Sequence, residues 1–255
     1  MKKTMTGKPK HQIVLSAGMP RAGSAWFYRL TLDLWLAAGG DDIREIREKY
    51  HLGSVLTQVN HNIDNFTLRK TALLIAPFLL GKSFTVKIHF APMPLGRWLI
   101  GLGWVRPTFI YRDPRDALLS AYEYGRRIIE QKGRTNAFSH LDTIEKAIDF
   151  MTDYCRDWET WMALAAPNTF RYEDLLGDYD GQAARLLDFL ALEPDAPGVR
   201  DAIEKSRPKT AAARKDGTHF SKGRVGRFRE AFTPEQIKLC EERFAPYLER
   251  MGYNL

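Results

Sequence analysis

The chain has 255 residues, 44% of them hydrophobic and 27% charged, with a formal charge of +7. That balance fits a folded globular protein and excludes low-complexity and collagen-like classes. The longest apolar stretches, 72–80 and around 97–105, are too short to span a bilayer, and two cysteines, Cys155 and Cys240, exclude a disulfide scaffold and point to a reducing cytoplasm.

Lysines before an apolar run near the start have the look of a short secretory leader. That run holds only about five residues before Ser16 and opens into a turn, so it reads as a first strand. Four segments are expected as buried parallel strands: 11–17, 84–90, 107–112 and 168–172. Each runs into a turn or a helix-like stretch. Trp26, Leu30, Leu34 and Ala37 recur at helical spacing and predict a helix over 24–38, ending at Gly39-Gly40. Residues 40–83 carry no pattern that assigns them. At Asp113-Pro114 a helix starts: Asp113 can cap, Pro114 suits the first helical position, and Asp116 stands three residues past the cap. Ile144, Ile148, Met151, Cys155, Trp158 and Met162 trace a helix over 141–165. Further helices are expected over 175–192 and from Thr233-Pro234 to about Arg250. Residues 193–229 are polar and glycine-dotted, and read as a loop or lid within a single domain spanning 1–255. The alternation predicts an α/β sandwich whose central parallel sheet has helices on both faces.

Basic residues are unevenly placed. Residues 1–30 hold six Lys/Arg and no Asp/Glu, and residues 200–230 hold ten against four. Such segments could be a nucleic-acid face, ordinary solubility, or two walls of one phosphate-rich pocket. The stretch "VLSAGMPRAGSAWFYRL" (14–30) passes from strand to glycine-containing turn to helix. In an α/β sheet that turn lies beyond a strand's carboxyl end, where the unpaired amides of a helix start hold anions. Gly23 lets the backbone approach closely, Ser24 offers a hydroxyl, and Arg21 can fork onto two oxygens; the bland alternative is a plain strand–helix turn. The loop keeps two glycines at the Walker separation but lacks its lysine and magnesium-binding hydroxyl, so ATP hydrolysis fits poorly.

In "KIHF", Lys87 and His89 stand at another strand's carboxyl end. A histidine there can take a proton from an attacking hydroxyl, or can simply be satisfied by backbone. Arg112 at a strand end and Ser120 two turns into the next helix could hold one phosphate. Asp113, Arg115 and Asp116 are expected in capping and salt links. His11, His51, His61, His140 and His219 have weaker settings, and no His/Cys cluster has zinc-like spacing, so no metal site is expected. Trp98 and Trp104, in "LGRWLIGLGWV", read most simply as core. An acceptor pocket, a peripheral membrane contact and a subunit interface are the alternatives.

Taken together, these motifs resemble the PAPS-dependent sulfotransferases, the cytosolic-type superfamily whose fold is similar to the P-loop nucleotide kinases. Pro20-Arg21-Ala22-Gly23-Ser24-Ala25-Trp26 stands where that family has its 5′-phosphosulfate loop, Pro-Lys-Ser-Gly-Thr-Thr-Trp. His89 matches the histidine after its Lys-Thr pair. Arg112-Asp113-Pro114-Arg115-Asp116 with Ser120 resembles its 3′-phosphate motif, Tyr172-Glu173-Asp174-Leu175 its adenine-side element, and "SKGRVGRF" (221–228) its closing glycine motif. The matches occur in order over about 13–233.

The resemblance implies a three-layer sandwich and metal-free transfer of a sulfuryl group from PAPS to a hydroxyl or amine of a small-molecule acceptor, leaving PAP. It implies His89 as base and Arg21, Ala22, Gly23, Ser24 and Ala25 around the 5′-phosphosulfate. Arg112, Ser120, Ser221, Lys222 and Gly223 would lie around the 3′-phosphate, with Trp26 and Tyr172 beside adenine. Three departures stand out: Arg21 replaces a lysine, Ser24-Ala25 supplies one hydroxyl where the family often has two, and Ser221 replaces an arginine. A nucleotide or sugar kinase, a nucleic-acid module and a non-catalytic PAP binder are the rival readings.

Overall fold

A computed structural model describes residues 11–133, 135–165, 168–213 and 223–254. Ser221 and Lys222 lie outside the described residues.

Five parallel strands form one sheet in the order β2-β3-β1-β4-β5: β1 Ile13–Gly18, β2 Asn62–Ile63, β3 Phe84–Ile88, β4 Val105–Tyr111 and β5 Thr169–Arg171. Four of these answer the expected strands. The two-residue β2 lies in the segment the sequence left unassigned, too short for periodicity to mark it.

Twelve helices complete the chain among the described residues. The first six are α1 Ser24–Ala37, α2 Ile43–Lys49, α3 Leu68–Leu79, α4 Pro94–Gly101, α5 Pro114–Lys132 and α6 Ile144–Ala165. After them come α7 Tyr172–Gly177, α8 Tyr179–Leu190, α9 Val199–Ser206, α10 Pro208–Ala213, α11 Phe228–Ala231 and α12 Pro234–Leu248. The helix expected over 175–192 is two helices. Asp178 breaks them, leaving the helical region and capping α8 by accepting from the Gly181 amide. The expected loop over 193–229 contains α9, α10 and α11. There Val199 and Ala202 supply a short apolar edge, too narrow to stand out from a polar sequence.

Strand alternation divides the core between the two faces. Ile13, Leu15 and Ala17 of β1 face the layer built on α2, α3, α5, α6 and α12, whereas Val14 faces α1, α8 and α9. Every central strand is covered on both sides, which is why each reads as a continuous apolar run. The three-layer sandwich is therefore the observed architecture. It gathers the carboxyl ends of β1, β3 and β4 at one edge, where ligands bind in sheets of this kind.

Trp35 on α1 is fully buried, and its indole N–H donates to the Ser83 carbonyl at 3.0 Å just before β3. A Cβ at Gly40 would lie 2.2 Å from the same indole nitrogen, so the helix exit is shaped around that ring. Trp35→Ala is expected to lower unfolding free energy by about 3–5 kcal/mol in urea titration, the range for emptying a large aromatic site.

Candidate active site

The loop after β1 is built for close approach. Gly18 ends the strand where a Cβ would meet Ser24 Cβ at 2.7 Å and Ile110 Cγ2 at 2.8 Å. Gly23 caps α1 in the left-handed region at φ 72, where a Cβ would strike the Tyr172 ring at 2.7 Å. No side chain caps α1 and its first turn holds no acid, so its leading amides keep their positive field.

Arg21 stands at φ 63, an uncommon setting for a side-chain-bearing residue. Its neighbours hold it there. Nε donates to Ser120 Oγ at 3.2 Å, and the guanidinium lies 4.5 Å from the Tyr124 ring centre on α5. Burial, with Arg127 and Arg112 nearby, lowers its pKa to about 10. Ser24 and Ala22 are buried beneath the loop, while Ala25 is half-buried. Trp26 packs into the core with its N–H donated to the Ser206 carbonyl at 2.7 Å, edge-on to Tyr172 and parallel to Tyr179.

Lys87 and His89 form a coupled pair at the end of β3. His89 Nδ1 donates to the Gly18 carbonyl at 2.7 Å, which leaves Nε2 as the lone-pair nitrogen, and Lys87 Nζ lies 2.5 Å from it. Burial first, and then Lys87 and Arg21, push the histidine pKa down to about 3, so the ring is neutral at ordinary pH. Burial and Arg21 push Lys87 down to about 7.

Arg112 closes the constellation from β4. It lies 4.4 Å over the Tyr172 ring, donates to the Arg224 carbonyl at 2.8 Å, and meets the Asp116 carboxylate at 3.2 Å. Its Nε is buried without a partner among the described residues. Arg21, Lys87 and Arg112 thus converge, with Asp116 paired to Arg112 and the charge of Glu123 felt by Arg21. Arg112 lowers the proton affinity of Arg21, and Arg21 that of Lys87, the electrostatics of a candidate anion site.

The structure brings together Arg21, the 22–25 loop, Lys87, His89, Arg112, Ser120 and Tyr172. Ser120 faces Arg21 rather than Arg112, so the two expected anion grips are one continuous surface. Gly223, half-buried at φ 56, opens the segment that Arg112 reaches through the Arg224 carbonyl. The side chains of Arg224 and Arg227 are engaged by Glu230 and Glu123.

Asp113 caps α5 and pairs with Arg115, as expected. Asp116 does not complete a capping box. It accepts from the Gly226 amide at 2.7 Å and the Phe228 amide at 3.1 Å, tying the C-terminal loop to α5 across 110 residues of chain. No local pattern announces that bond. Tyr124 was also missed, although its four-residue spacing from Ser120 puts both on one helix face.

A run of rings leads from Arg21 to His89. Tyr124 meets Phe138, Phe138 meets Phe150, Phe150 meets Tyr154, and Tyr154 meets Phe90, with centres 5.0–5.8 Å apart. The Ala91 amide donates to Asp157 at 3.1 Å and holds Phe90 at this edge. Among the described residues no group of His, Cys, Asp and Glu is arranged to hold a metal, and no helix is long and apolar enough to cross a membrane.

A parallel sheet covered by helices on both faces, with a glycine-containing loop between its first strand and α1, is a three-layer fold of the P-loop-like class. Residues 108–252 match the sulfotransferase domain family, and the chain belongs to that family. Retinol dehydratase, solved in complex with retinol and PAP, is similar in fold: TM-score 0.59 at 19% identity, over 98% of this chain and 84% of that one. Mouse sulfotransferase SULT7A1, complexed with PAP, has a TM-score of 0.59 at 13% identity, over 94% and 86%. No curated protein sequence matches the chain.

Asp116→Ala is expected to release the 223–228 segment while the sheet stays intact. Hydrogen exchange at the Gly226 and Phe228 amides should quicken roughly tenfold or more, the scale of losing a charged hydrogen bond. Unchanged exchange at both amides would contradict the latch.

Proposed function

We propose that the protein is a PAPS-dependent sulfotransferase acting on a hydroxyl or amine of a small-molecule acceptor. The observation that carries this reading is the convergence of Arg21, Lys87 and Arg112 around a neutral histidine. The donor fits these residues: the α1 amides, Arg21 and Ser24 suit the 5′-phosphosulfate. Arg112, with its unpartnered Nε, suits the 3′-phosphate together with Ser120 and the Ser221-Lys222-Gly223 segment. Tyr172, backed by Trp26, suits the adenine side. PAP is also what retinol dehydratase and mouse SULT7A1 bind in their solved complexes.

PAPS supplies the sulfuryl group and leaves as PAP. His89 then serves as base: its Nδ1 proton is fixed on the Gly18 carbonyl, so Nε2 is the atom that takes the acceptor's proton. Lys87 covers that lone pair in the free protein. A buried anion beside Lys87 stabilises the ammonium and draws it off the imidazole, so donor binding would uncover the base. Arg21 and the α1 amides stabilise negative charge on the departing phosphate oxygen. Arginine keeps the charge of the lysine it replaces but is a poor proton donor, so its contribution here is electrostatic. The rings from Tyr124 to Phe90 favour an apolar, aromatic-faced acceptor.

Calorimetric titration with PAP, ADP and 5′-AMP without magnesium tests the donor. PAP is expected to bind well ahead of both. Arg112→Ala should weaken PAP far more than 5′-AMP, and His89→Ala should end turnover while leaving PAP binding nearly intact. Equal affinity for PAP and ADP would return the kinase-like reading to the front.

Lys87 supplies a pH signature. With its pKa near 7 in the free protein, it is mostly neutral at pH 8, and an adjacent anion raises that pKa. PAP binding at pH 8 should therefore take up as much as about one proton, read from titrations in buffers of different ionisation enthalpy. Lys87→Met should abolish the uptake.

A further inference from the structure

Two neighbouring helices turn apolar side chains to solvent. The exposed positions of α3 are Leu68, Ala72, Ala76, Leu79 and Leu80, with Arg69 the sole charge among them. Leu68 is 79% and Leu80 69% exposed, far more than leucines on the outer face of a covered sheet need be. On α4, Met93, Trp98 and Leu102 are exposed beside Arg97. Each helix starts after a strand of the same parallel sheet and returns towards the next, so α3 and α4 run in the same direction. The Trp104 ring bridges them, with centres 5.3 Å from Phe78 and 6.4 Å from Trp98. Trp98, expected from sequence as core, is 57% exposed.

The charges that α3 and α4 themselves carry are basic: Arg69, Lys70 and Arg97. Lys70 and Lys82 at the margins pair with Asp64 and Asp41, leaving Arg69 and Arg97 exposed on the apolar face itself. His11 stacks on Phe78 at 4.1 Å, next to Leu79, and the ten residues before it carry Lys2, Lys3, Lys8 and Lys10 with no acid.

We propose that the α3–α4 face is a docking surface for an anionic lipid bilayer. Exposed leucines and a tryptophan enter the boundary between headgroups and acyl chains, where indole rings are favoured. Arg69 and Arg97 among them meet lipid phosphates. A second copy of the chain is a poorer match, because pairing this face with itself would bring like charges together. Met93 precedes α4 directly after the His89–Pro92 segment, so docking would bring the half-exposed Phe90 close to the membrane surface.

Cosedimentation of the full chain with vesicles tests this without any donor or acceptor. Vesicles of phosphatidylcholine mixed with phosphatidylglycerol should bind the protein about tenfold or more tighter than phosphatidylcholine alone, with the difference shrinking as salt rises. Leu79→Gln combined with Leu102→Gln, both exposed and so neutral for folding, should weaken binding about tenfold without shifting Tm. Brominated acyl chains should quench fluorescence in the wild type, and this quenching should be lost in Trp98→Phe. No binding, equal binding to both vesicle types, or undiminished binding of the double variant would each overturn the proposal. A dimer in sedimentation velocity that the double variant disperses, with no vesicle binding, would assign the face to a second copy instead.

Discussion

The arrangement of the site depends on one electrostatic constraint: three cations, Arg21, Lys87 and Arg112, held together out of water at the carboxyl edge of a parallel sheet. Each comes from the end of a different strand, and the sheet order sets β1 between β3 and β4, so the three cannot separate without unpairing strands. Their mutual repulsion is offset locally by what surrounds them. Tyr124 and Tyr172 present ring faces to two guanidinium groups, Ser120 accepts from Arg21, and the Arg224 carbonyl and Asp116 accept from Arg112. Under the proposed function, a bound anion would relieve the remaining repulsion and couple binding to protonation of Lys87.

Asp116 links this constraint to the rest of the chain. One buried carboxylate answers Arg112 and also fixes the amides of Gly226 and Phe228. Glu173 does similar work one layer out, accepting from the Asp113 amide and from the Tyr253 hydroxyl. Burial raises its pKa, as expected for a carboxyl held chiefly by neutral donors. The C-terminal residues are thus packed against the start of α5, and a loop distant in sequence is tied to Asp116 and Arg112.

The α3–α4 face has the opposite character. Here apolar groups are left exposed among the described residues, although the same sheet is well covered elsewhere. The two regions contrast: one gathers charge inward, the other turns apolar side chains and Arg69 and Arg97 outward.

Several features were determined by the sequence alone. Short apolar runs ending in turns marked four of the five strands, because a strand buried on both faces must be apolar at every position. The helix starts at Pro114 and Pro234 were legible from local chemistry, since a cap or an N1 proline acts within a few residues, and the helix from Ser24 was legible from its apolar spacing. The order of the anion loop, strand-end histidine and Arg112 motif was equally legible. Tertiary structure decided what depends on contacts between distant segments. It set Ser120 against Arg21, Asp116 against the C-terminal loop, and Lys87 on the lone pair of His89. It also made Trp98 a surface residue, though its helix is as apolar as many buried ones. Such outcomes rest on which side of an element meets a neighbour, and periodicity reports a face without saying what lies opposite it.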